Sequence, residues 1–236
     1  MNYVIIVGGG SGSRMGTDTP KQFLLLHGMP VIMHSMYAFS RCRYAPKIIA
    51  VIPAAQHAYW KDLCEKYDFK IPHDLVDGGK TRFESVKNGL EAIKSTCKDL
   101  ANSVIAVHDA ARPLVTIDAI ETTFDQAWRT GAAALALPST NSIRITSSNG
   151  LKNNAFPRHQ VYVMQTPQTF RGNILSASYE QADDNLFTDD ASVVERKGYP
   201  IVLVDGDTRN IKITFPEDLQ IATILADIHS GSTQTS

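Results

Sequence analysis

Glycines and positively charged side chains are combined near the start of the chain in a pattern typical of phosphate binding. Glycines let backbone N–H groups approach a phosphate closely and tolerate a positive φ, and arginine or lysine neutralises its charge. A tight turn after the first strand lies at the carboxyl edge of a parallel sheet, where α/β proteins bind ligands. We therefore expect a polyphosphate site formed by Gly8, Gly9, Gly10, Gly12, Arg14 and Lys21.

The two familiar glycine-rich nucleotide motifs do not fit this segment. It lacks the GxxxxGK[ST] spacing of a P-loop, and it does not match the GxGxxG of dinucleotide-binding folds. Residues 52–55 are Ile-Pro-Ala-Ala, so no acid ends the second strand to bind a ribose. The sequence therefore argues against a kinase, a GTPase and a dehydrogenase, and the alternative is a glycine turn with two solvated cations.

A second motif, HDAARP at residues 108–113, directly follows an apolar run. Its acid, Asp109, should therefore lie at the carboxyl end of a strand. A hard ion such as Mg²⁺ takes few protein carboxylates plus phosphate oxygens, so Asp109 is a candidate magnesium ligand. Arg112 would bind an anion. The structural alternatives are a cap or turn role for Asp109 and a packing role for His108.

A third motif, DGDTRNIKIT at residues 205–214, is expected to end in a strand. Lys212 lies between Ile211 and Ile213, and alternation along a strand would direct it away from these apolar neighbours. This placement favours a lysine that faces a cleft. The alternative is an edge-strand lysine that discourages aggregation.

Short β-branched runs alternate with amphipathic segments along the chain, which predicts a mostly parallel, twisted sheet with helices on both faces. The fold class is therefore α/β, Rossmann-like. Strands are predicted over residues 3–7, 47–52, 103–107, 132–137 and 201–204. Helices are predicted over residues 31–40, 55–67, 82–95, 117–129 and 216–228.

One segment, residues 142–156, departs from this alternation. It alternates weakly in polarity and carries the polar turn Ser-Ser-Asn-Gly at residues 147–150, which is a hairpin pattern. We predict a hairpin arm over about residues 139–160, projecting from a single domain of residues 1–230. Residues 231–236 are small and polar and are expected to form a disordered tail.

The bulk composition excludes several classes of protein. With 236 residues and a net charge of −1, the chain has no overall field that would attract nucleic acid or a membrane. Cys42, Cys64 and Cys97 are far apart, which argues against a zinc site or a disulfide scaffold. No apolar run approaches the ~20 residues of a membrane helix and no secretion signal is recognised, so we expect a cytoplasmic protein.

Together and in this order, the motifs resemble those of the 2-C-methyl-D-erythritol 4-phosphate cytidylyltransferases of the non-mevalonate isoprenoid pathway. The resemblance spans residues 3–228. It is carried by Gly-x-Arg-Met at residues 12–15, Pro20-Lys21-Gln22, Asp77-Gly78-Gly79 with Arg82 and Ser85, the HDAARP motif, Gln165-Thr166-Pro167-Gln168, Thr188-Asp189-Asp190 and Asn-Ile-Lys-Ile-Thr at residues 210–214.

The resemblance implies transfer of CMP from CTP to 2-C-methyl-D-erythritol 4-phosphate, with Mg²⁺ as cofactor. It implies that Arg14 and Lys21 hold the triphosphate and that Asp109 binds the metal. The implied nucleotide-binding set is Gly8, Gly9, Gly10, Gly12, Arg14, Lys21, Gly79, Arg82, Ser85 and Asp109. The set implied around the acceptor is Asp109, Arg112, Ser142, Arg158, Thr166, Thr188 and Lys212. Within these sets, Arg14, Lys21, Arg158 and Lys212 are the expected catalytic residues, and Arg158 and Lys212 clamp the acceptor phosphate.

The chain departs from the family pattern at two places. Val7-Gly8-Gly9 stands where Pro-Ala-Ala is more common, and Ser142 stands where threonine is common. Ribitol 5-phosphate cytidylyltransferases share the glycine-rich version, so a ribitol phosphate acceptor is the alternative, although HDAARP favours methylerythritol phosphate. A noncatalytic nucleotide-binding module is a third, remote alternative.

The resemblance also implies a homodimer with exchanged arms. The hairpin of one subunit would reach over its neighbour and deliver Arg158, with Ser142 and Arg112, to the partner's acceptor site.

Overall fold

The protein is described by a computed structural model covering residues 1–9 and 19–231. In chain order its strands are β1 (Asn2–Val7), β2 (Leu25–Leu26), β3 (Met29–Pro30), β4 (Lys47–Ile52), β5 (His73–Asp77), β6 (Val104–Asp109), β7 (Ala132–Pro138), β8 (Ile143–Ser147), β9 (Lys152–Phe156), β10 (Tyr162–Arg171) and β11 (Val202–Asp205). Its helices are α1 (Val31–Arg41), α2 (His57–Lys66), α3 (Arg82–Thr96), α4 (Ile117–Thr130), α5 (Gly172–Ser178), α6 (Asp190–Arg196) and α7 (Pro216–Gly231).

Seven strands form one sheet in the order β11-β7-β10-β6-β1-β4-β5. The pairs β6-β1, β1-β4, β4-β5 and β11-β7 are parallel, whereas β10 runs antiparallel to both β6 and β7. The predicted α/β, mostly parallel fold is confirmed. Because β1, β4 and β6 are parallel neighbours, the loops that follow them emerge side by side at one edge.

Two apolar cores lie on opposite faces of this sheet, because successive side chains of a strand alternate between faces. From β1, Val4 and Ile6 pack on the face covered by α1, α2 and α4. Tyr3 and Ile5 pack on the other face, against α3, α5 and α6. The sheet is therefore covered by helices on both sides, as predicted.

The predicted strand over residues 103–107 is too short, because β6 continues through His108 and Asp109. Four strands were not predicted from the sequence, namely β5 and β10 of the seven-stranded sheet and the short pair β2 and β3, nor were helices α5 and α6. The predicted strand around Lys212 is wrong, since residues 211–214 form no strand. Instead, the Ile213 N–H donates a single hydrogen bond to the Ala111 carbonyl at 2.8 Å, which joins this segment to the loop after β6.

The arm consists of β8 and β9, which pair antiparallel and form a separate two-stranded sheet. Asn149 and Gly150 adopt positive φ angles of 54° and 88° between these strands, a conformation that asparagine and glycine tolerate. Nearly every residue of the two strands is exposed. Of the predicted tail, Gly231 ends α7 and the other residues lie outside the described part of the chain.

None of the helices within residues 1–9 and 19–231 has the length and apolar character needed to cross a membrane.

Gly89 lets α3 pack closely on the sheet. A Cβ atom added there would lie 2.9 Å from Ile5 Cγ2 and 3.0 Å from Val51 Cγ2, both in the core. We expect Gly89→Ala to lower the free energy of unfolding by about 1–2 kcal/mol, after allowing for the roughly 1 kcal/mol gain in helix propensity. Urea unfolding measures this, with Lys87→Ala on the exposed side of α3 as control. A Gly89→Ala protein as stable as the wild type would contradict this close packing.

Candidate active site

The carboxyl ends of β1 and β6 form the floor of a cleft with a volume of about 200 Å³. Val7 and Asp109 are register partners at these two strand ends. The Ala110 N–H donates to the Val7 carbonyl at 3.0 Å, and the Gly8 N–H donates to the Val51 carbonyl of β4 at 2.8 Å. The residues lining the cleft are Val7, Gly8, Gly9, Lys21, Gln22, Gly79, Lys80, Thr81, Arg82, Ser85, Asp109, Ala110, Ala111 and Lys212.

Most of the sequence-predicted site residues within the described chain meet in this cleft. They are Gly8, Gly9, Lys21, Gly79, Arg82, Ser85, Asp109 and Lys212. Among the described residues, the cleft is lined by one carboxylate, Asp109, and by four cationic side chains. The cations are Lys21, Lys80, Arg82 and Lys212. The excess of positive charge suits a polyanionic ligand.

Lys21 begins a short 3-10 turn at Lys21–Phe23 whose next two residues are buried. The Gln22 amide donates to the Gly8 carbonyl at 2.7 Å and to Gln56 Oε1 at 2.9 Å. Phe23 stacks on Trp60 with ring centroids 6.1 Å apart. The turn is therefore anchored on both the glycine loop and the core, which positions Lys21 at the cleft.

The first turn of α3 forms the opposite wall. Thr81 caps this helix by accepting from the Glu84 N–H at 3.1 Å. The Ser85 hydroxyl accepts from the Gly79 N–H at 3.0 Å and donates to the Thr81 carbonyl at 2.9 Å. Ser85 thus fixes the loop that precedes the helix.

Steric need for glycine differs between the two walls. A Cβ atom at Gly79 would lie 2.2 Å from Glu84 Cβ, so only glycine fits there. At Gly8 and Gly9 the nearest atoms would be 3.6 Å and 3.4 Å away, and neither residue has a positive φ. Packing within the described residues therefore requires glycine at Gly79 but leaves room for a Cβ atom at Gly8 and Gly9.

Asp109 is surrounded by three cations although its side chain is nearly buried. Lys212 Nζ lies 2.8 Å from Oδ2, Arg82 Nε lies 3.3 Å from Oδ1, and Arg112 Nε lies 3.7 Å from Oδ2. Burial alone would raise the pKa of Asp109, but the surrounding cations, Arg82 foremost, hold it well below its usual range. Asp109 is therefore ionised at neutral pH, and Lys212 faces the cleft as expected although it lies outside a strand.

Thr166 and His108 support Asp109 from within the protein. The Thr166 hydroxyl accepts from the Asp109 N–H at 3.1 Å and lies 3.1 Å from His108 Nδ1. Burial lowers the pKa of His108 to about 4, so its ring is neutral, and its edge contacts Phe39. This agrees with a packing role for His108, and it gives buried Thr166 a structural task that the sequence did not indicate.

Arg112 lies behind the cleft wall. Its Nη1 donates to the Asn210 carbonyl at 2.7 Å, and its side chain is 12% exposed. Arg112 therefore connects Asp109 to the segment that carries Lys212.

Besides Arg112 and Thr166, three further residues expected around the acceptor do not line the cleft of this single chain. Ser142, Arg158 and Thr188 are all exposed. Arg158 lies just beyond the hairpin and donates to the Thr140 carbonyl at 3.2 Å. The expected site residues Gly10, Gly12 and Arg14 lie outside the described residues.

Sequence reasoning missed several residues of the site. Gln22 and Asp190, which lies behind the cleft and pairs with Arg82, occur in motifs that carried the family resemblance, but no role was assigned to them. Thr81 precedes a predicted helix, which is a capping signal that would have located it. Lys80 had no distinguishing signal.

Asp109 is the single carboxylate among the described residues that line the cleft. No group of three or more His, Cys, Asp or Glu side chains suited to a metal ion occurs within residues 1–9 and 19–231. A divalent cation held here would therefore take most of its ligands from phosphate and water, which is how Mg²⁺ commonly binds beside nucleotides.

Comparison with known proteins identifies relatives over nearly the whole length. The family model described as 2-C-methyl-D-erythritol 4-phosphate cytidylyltransferase matches residues 2–227. A protein of that name from Porphyromonas gingivalis is 45% identical over 224 residues, covering 94% of this chain and 96% of the relative. Another from Phocaeicola vulgatus is 43% identical over 223 residues, covering 94% and 98%.

Solved structures of similar proteins have the same fold. The 2-C-methyl-D-erythritol 4-phosphate cytidylyltransferase of Francisella tularensis has a TM-score of 0.78 at 29% identity, covering 95% of this chain and 99% of that one. The enzyme of the same name from Thermus thermophilus has a TM-score of 0.74 at 27% identity, covering 96% and 100%. Because the family model and these relatives span almost all of the sequence, the chain belongs to the 2-C-methyl-D-erythritol 4-phosphate cytidylyltransferase family.

Proposed function

We propose that this chain transfers CMP from CTP to 2-C-methyl-D-erythritol 4-phosphate, forming 4-diphosphocytidyl-2-C-methyl-D-erythritol and pyrophosphate. The observation that carries the proposal is the cleft at the ends of β1 and β6. There cations surround Asp109, and the opposite wall is formed by the first turn of α3 and the preceding loop with Gly79. Its family relatives are named for this reaction and support the methylerythritol acceptor rather than ribitol phosphate. We also propose a cytoplasmic location, where CTP is available.

In this mechanism an oxygen of the acceptor phosphate attacks the α-phosphorus of CTP in line. The new P–O bond forms as the bond to the bridging oxygen breaks, and pyrophosphate leaves with the electron pair. The acceptor phosphate is already charged, so no enzyme nucleophile is needed. The protein has to bring two polyanions together and neutralise the charge that develops on the transferred group.

The cations of the cleft divide this task. Lys21, with Arg14 as expected from the sequence, neutralises the triphosphate. Lys212, which lies 2.8 Å from Asp109 in the single chain, would clamp the acceptor phosphate together with Arg158. Arg82 and Lys80 add positive charge to the α3 wall.

We propose Mg²⁺ as the cofactor and Asp109 as its protein ligand. The single ionised carboxylate fits an ion that takes its other oxygens from phosphate and water. When bound, the ion would neutralise phosphate oxygens and orient the leaving group. Asp109 would supply the negative charge that holds such an ion in place.

Pyrophosphate release from CTP tests the proposed reaction. We expect release with 2-C-methyl-D-erythritol 4-phosphate and little with ribitol 5-phosphate. UTP should be a poor substitute, because backbone carbonyls near Gly8 and Gly79 would accept from the cytosine amine, whereas uracil presents an acceptor at that position. Nucleotide binding without turnover would favour the noncatalytic alternative, and equal rates with UTP would contradict the base preference.

Lys21→Ala is expected to reduce turnover at least about a hundredfold, because the lysine neutralises charge that is greatest in the transition state. The fold should persist, since buried Gln22 and Phe23 anchor the turn. Circular dichroism and a pyrophosphate assay measure the two effects. Lys61→Ala, an exposed lysine of α2, is the control and should turn over normally. Near-normal turnover by folded Lys21→Ala would remove this residue from the mechanism.

We further propose that the active form is a homodimer with exchanged arms. A two-stranded hairpin is only marginally stable by itself, and nearly all residues of β8 and β9 are exposed. Several large apolar side chains of the arm and the start of β10 face solvent in the single chain, namely Ile145, Leu151, Phe156, Tyr162 and Val163. A second copy covering them would place Arg158 and Ser142 at the neighbour's acceptor site, where an arginine fork suits a phosphate.

Subunit complementation tests this arrangement. Inactive Lys21→Ala and Arg158→Ala proteins should regain activity when mixed, because one site of each heterodimer then contains both residues. Random exchange would make about a quarter of all sites active. Mixing Lys21→Ala with a Lys21→Ala/Arg158→Ala double variant is the control and should stay inactive. If tagged subunits exchange and the first mixture remains inactive, Arg158 does not act across the interface.

A further inference from the structure

Asp190 is a fully buried carboxylate that lies behind the cleft and is not among its lining residues. Arg82 makes a two-pronged ion pair with it, through Nη1 to Oδ1 at 2.8 Å and Nη2 to Oδ2 at 2.7 Å. The Tyr179 hydroxyl donates to Oδ1 at 2.6 Å. Such a fork fixes the plane of a guanidinium as well as its position.

The carboxylate is itself held rigidly. Asp190 is the first residue of α6, and Asp189 caps this helix by accepting from the Ser192 N–H at 2.9 Å. Gln168 of β10 donates to Asp189 Oδ2 and accepts from the Ala191 N–H, both at 2.8 Å. The start of α6 is thus tied to the central sheet, and Asp190 is a fixed point for Arg82.

This anchoring determines how Arg82 meets Asp109. With both Nη atoms on Asp190, only Nε is directed to Asp109, at 3.3 Å. Without Asp190, the guanidinium could turn its fork onto Asp109, since a bidentate pair is the favoured geometry for arginine and a carboxylate. Asp109 would then lose freedom to face the ligand, and Arg82 would withdraw from the cleft wall.

We infer that Asp190, assisted by the Tyr179 hydroxyl, is a positioning residue for nucleotide binding that acts through Arg82 and does not touch the substrate. This inference rests on the proposed function, in that CTP is taken as the ligand of the cleft. Asp190 holds the Arg82 guanidinium at the wall formed by α3. It also prevents Arg82 from pairing fully with Asp109.

The expected consequence is selective. Asp190→Asn keeps the side-chain shape but removes the charge, so CTP should bind on the order of ten- to a hundredfold more weakly. Tyr179→Phe keeps the ring stacked on Phe83, with centroids 4.6 Å apart, and removes one hydrogen bond, so its effect should be smaller. In steady state, KM for CTP should rise more than KM for the acceptor, which a general loss of folded protein would not produce.

A double-mutant cycle on direct CTP binding tests the inference. Titration calorimetry of Asp190→Asn, Arg82→Gln and the double variant is carried out without acceptor, after circular dichroism has established folding. We expect both single variants to bind weakly and the double variant to bind no more weakly than Arg82→Gln. The control is Asp125→Asn, because Asp125 accepts from Arg43 and Tyr44 in a similar trio outside the cleft and should not affect CTP affinity.

Wild-type CTP affinity in folded Asp190→Asn, or full additivity in the double variant, would overturn the inference. If Asp190→Asn does not fold, the same cycle with Tyr179→Phe decides between these outcomes. A wild-type protein that binds CTP but releases no pyrophosphate would refute the proposed function and leave the cycle valid. A wild-type protein that does not bind CTP would refute both.

Discussion

The buried charge of Asp109 imposes the arrangement of the site. An ionised carboxylate with 7% exposure is unfavourable by several kcal/mol unless cations and hydrogen bonds compensate it. Its partners come from three separate parts of the chain: Arg82 from α3, Arg112 from the loop after β6, and Lys212 from the segment before α7. Satisfying one carboxylate therefore brings three segments to one strand end, and their combined charge exceeds that of Asp109. Asp190 offsets part of this excess by pairing with Arg82, and Lys21 and Lys80 add to the positive charge of the cleft.

The antiparallel strand β10 holds these segments in place with buried polar side chains. Thr166 bonds to the backbone of β6, and Gln168 bonds to the start of α6. Gln165 donates to the Asp207 carbonyl at 2.9 Å, in the segment that leads to Lys212. Because buried polar groups are costly when unpaired, these bonds specify where each loop must lie. One strand thus connects the supports of the nucleotide wall with those of the proposed acceptor side.

The sequence predicted the elements whose signal is local. Apolar runs located β1, β4 and β7, and the combination of glycines with nearby cations indicated that Gly8, Gly9 and Lys21 belong to the site. Strand β10 escaped because its Gln-Thr-Pro-Gln segment interrupts the apolar pattern, and those polar residues are explained only by partners elsewhere in the fold. Asp190 escaped for the same reason, since its partner Arg82 is 108 positions away. Spacing indicates which residue types meet at a strand end, but it carries no information about the buried groups that orient them.

The space beside Gly8 and Gly9 has an evolutionary consequence. Among the described residues, a methyl group fits at either position without displacing Gln22, Ile52 or Ser85, so these neighbours would accept an Ala-Ala pair in place of Gly8 and Gly9. Single substitutions can lead from one to the other through folded intermediates. Each alanine would stabilise the folded protein by about 0.4–1 kcal/mol, because it lowers the conformational entropy of the unfolded chain. Glycine and alanine can therefore replace each other at these two positions in single steps without repacking Gln22, Ile52 or Ser85.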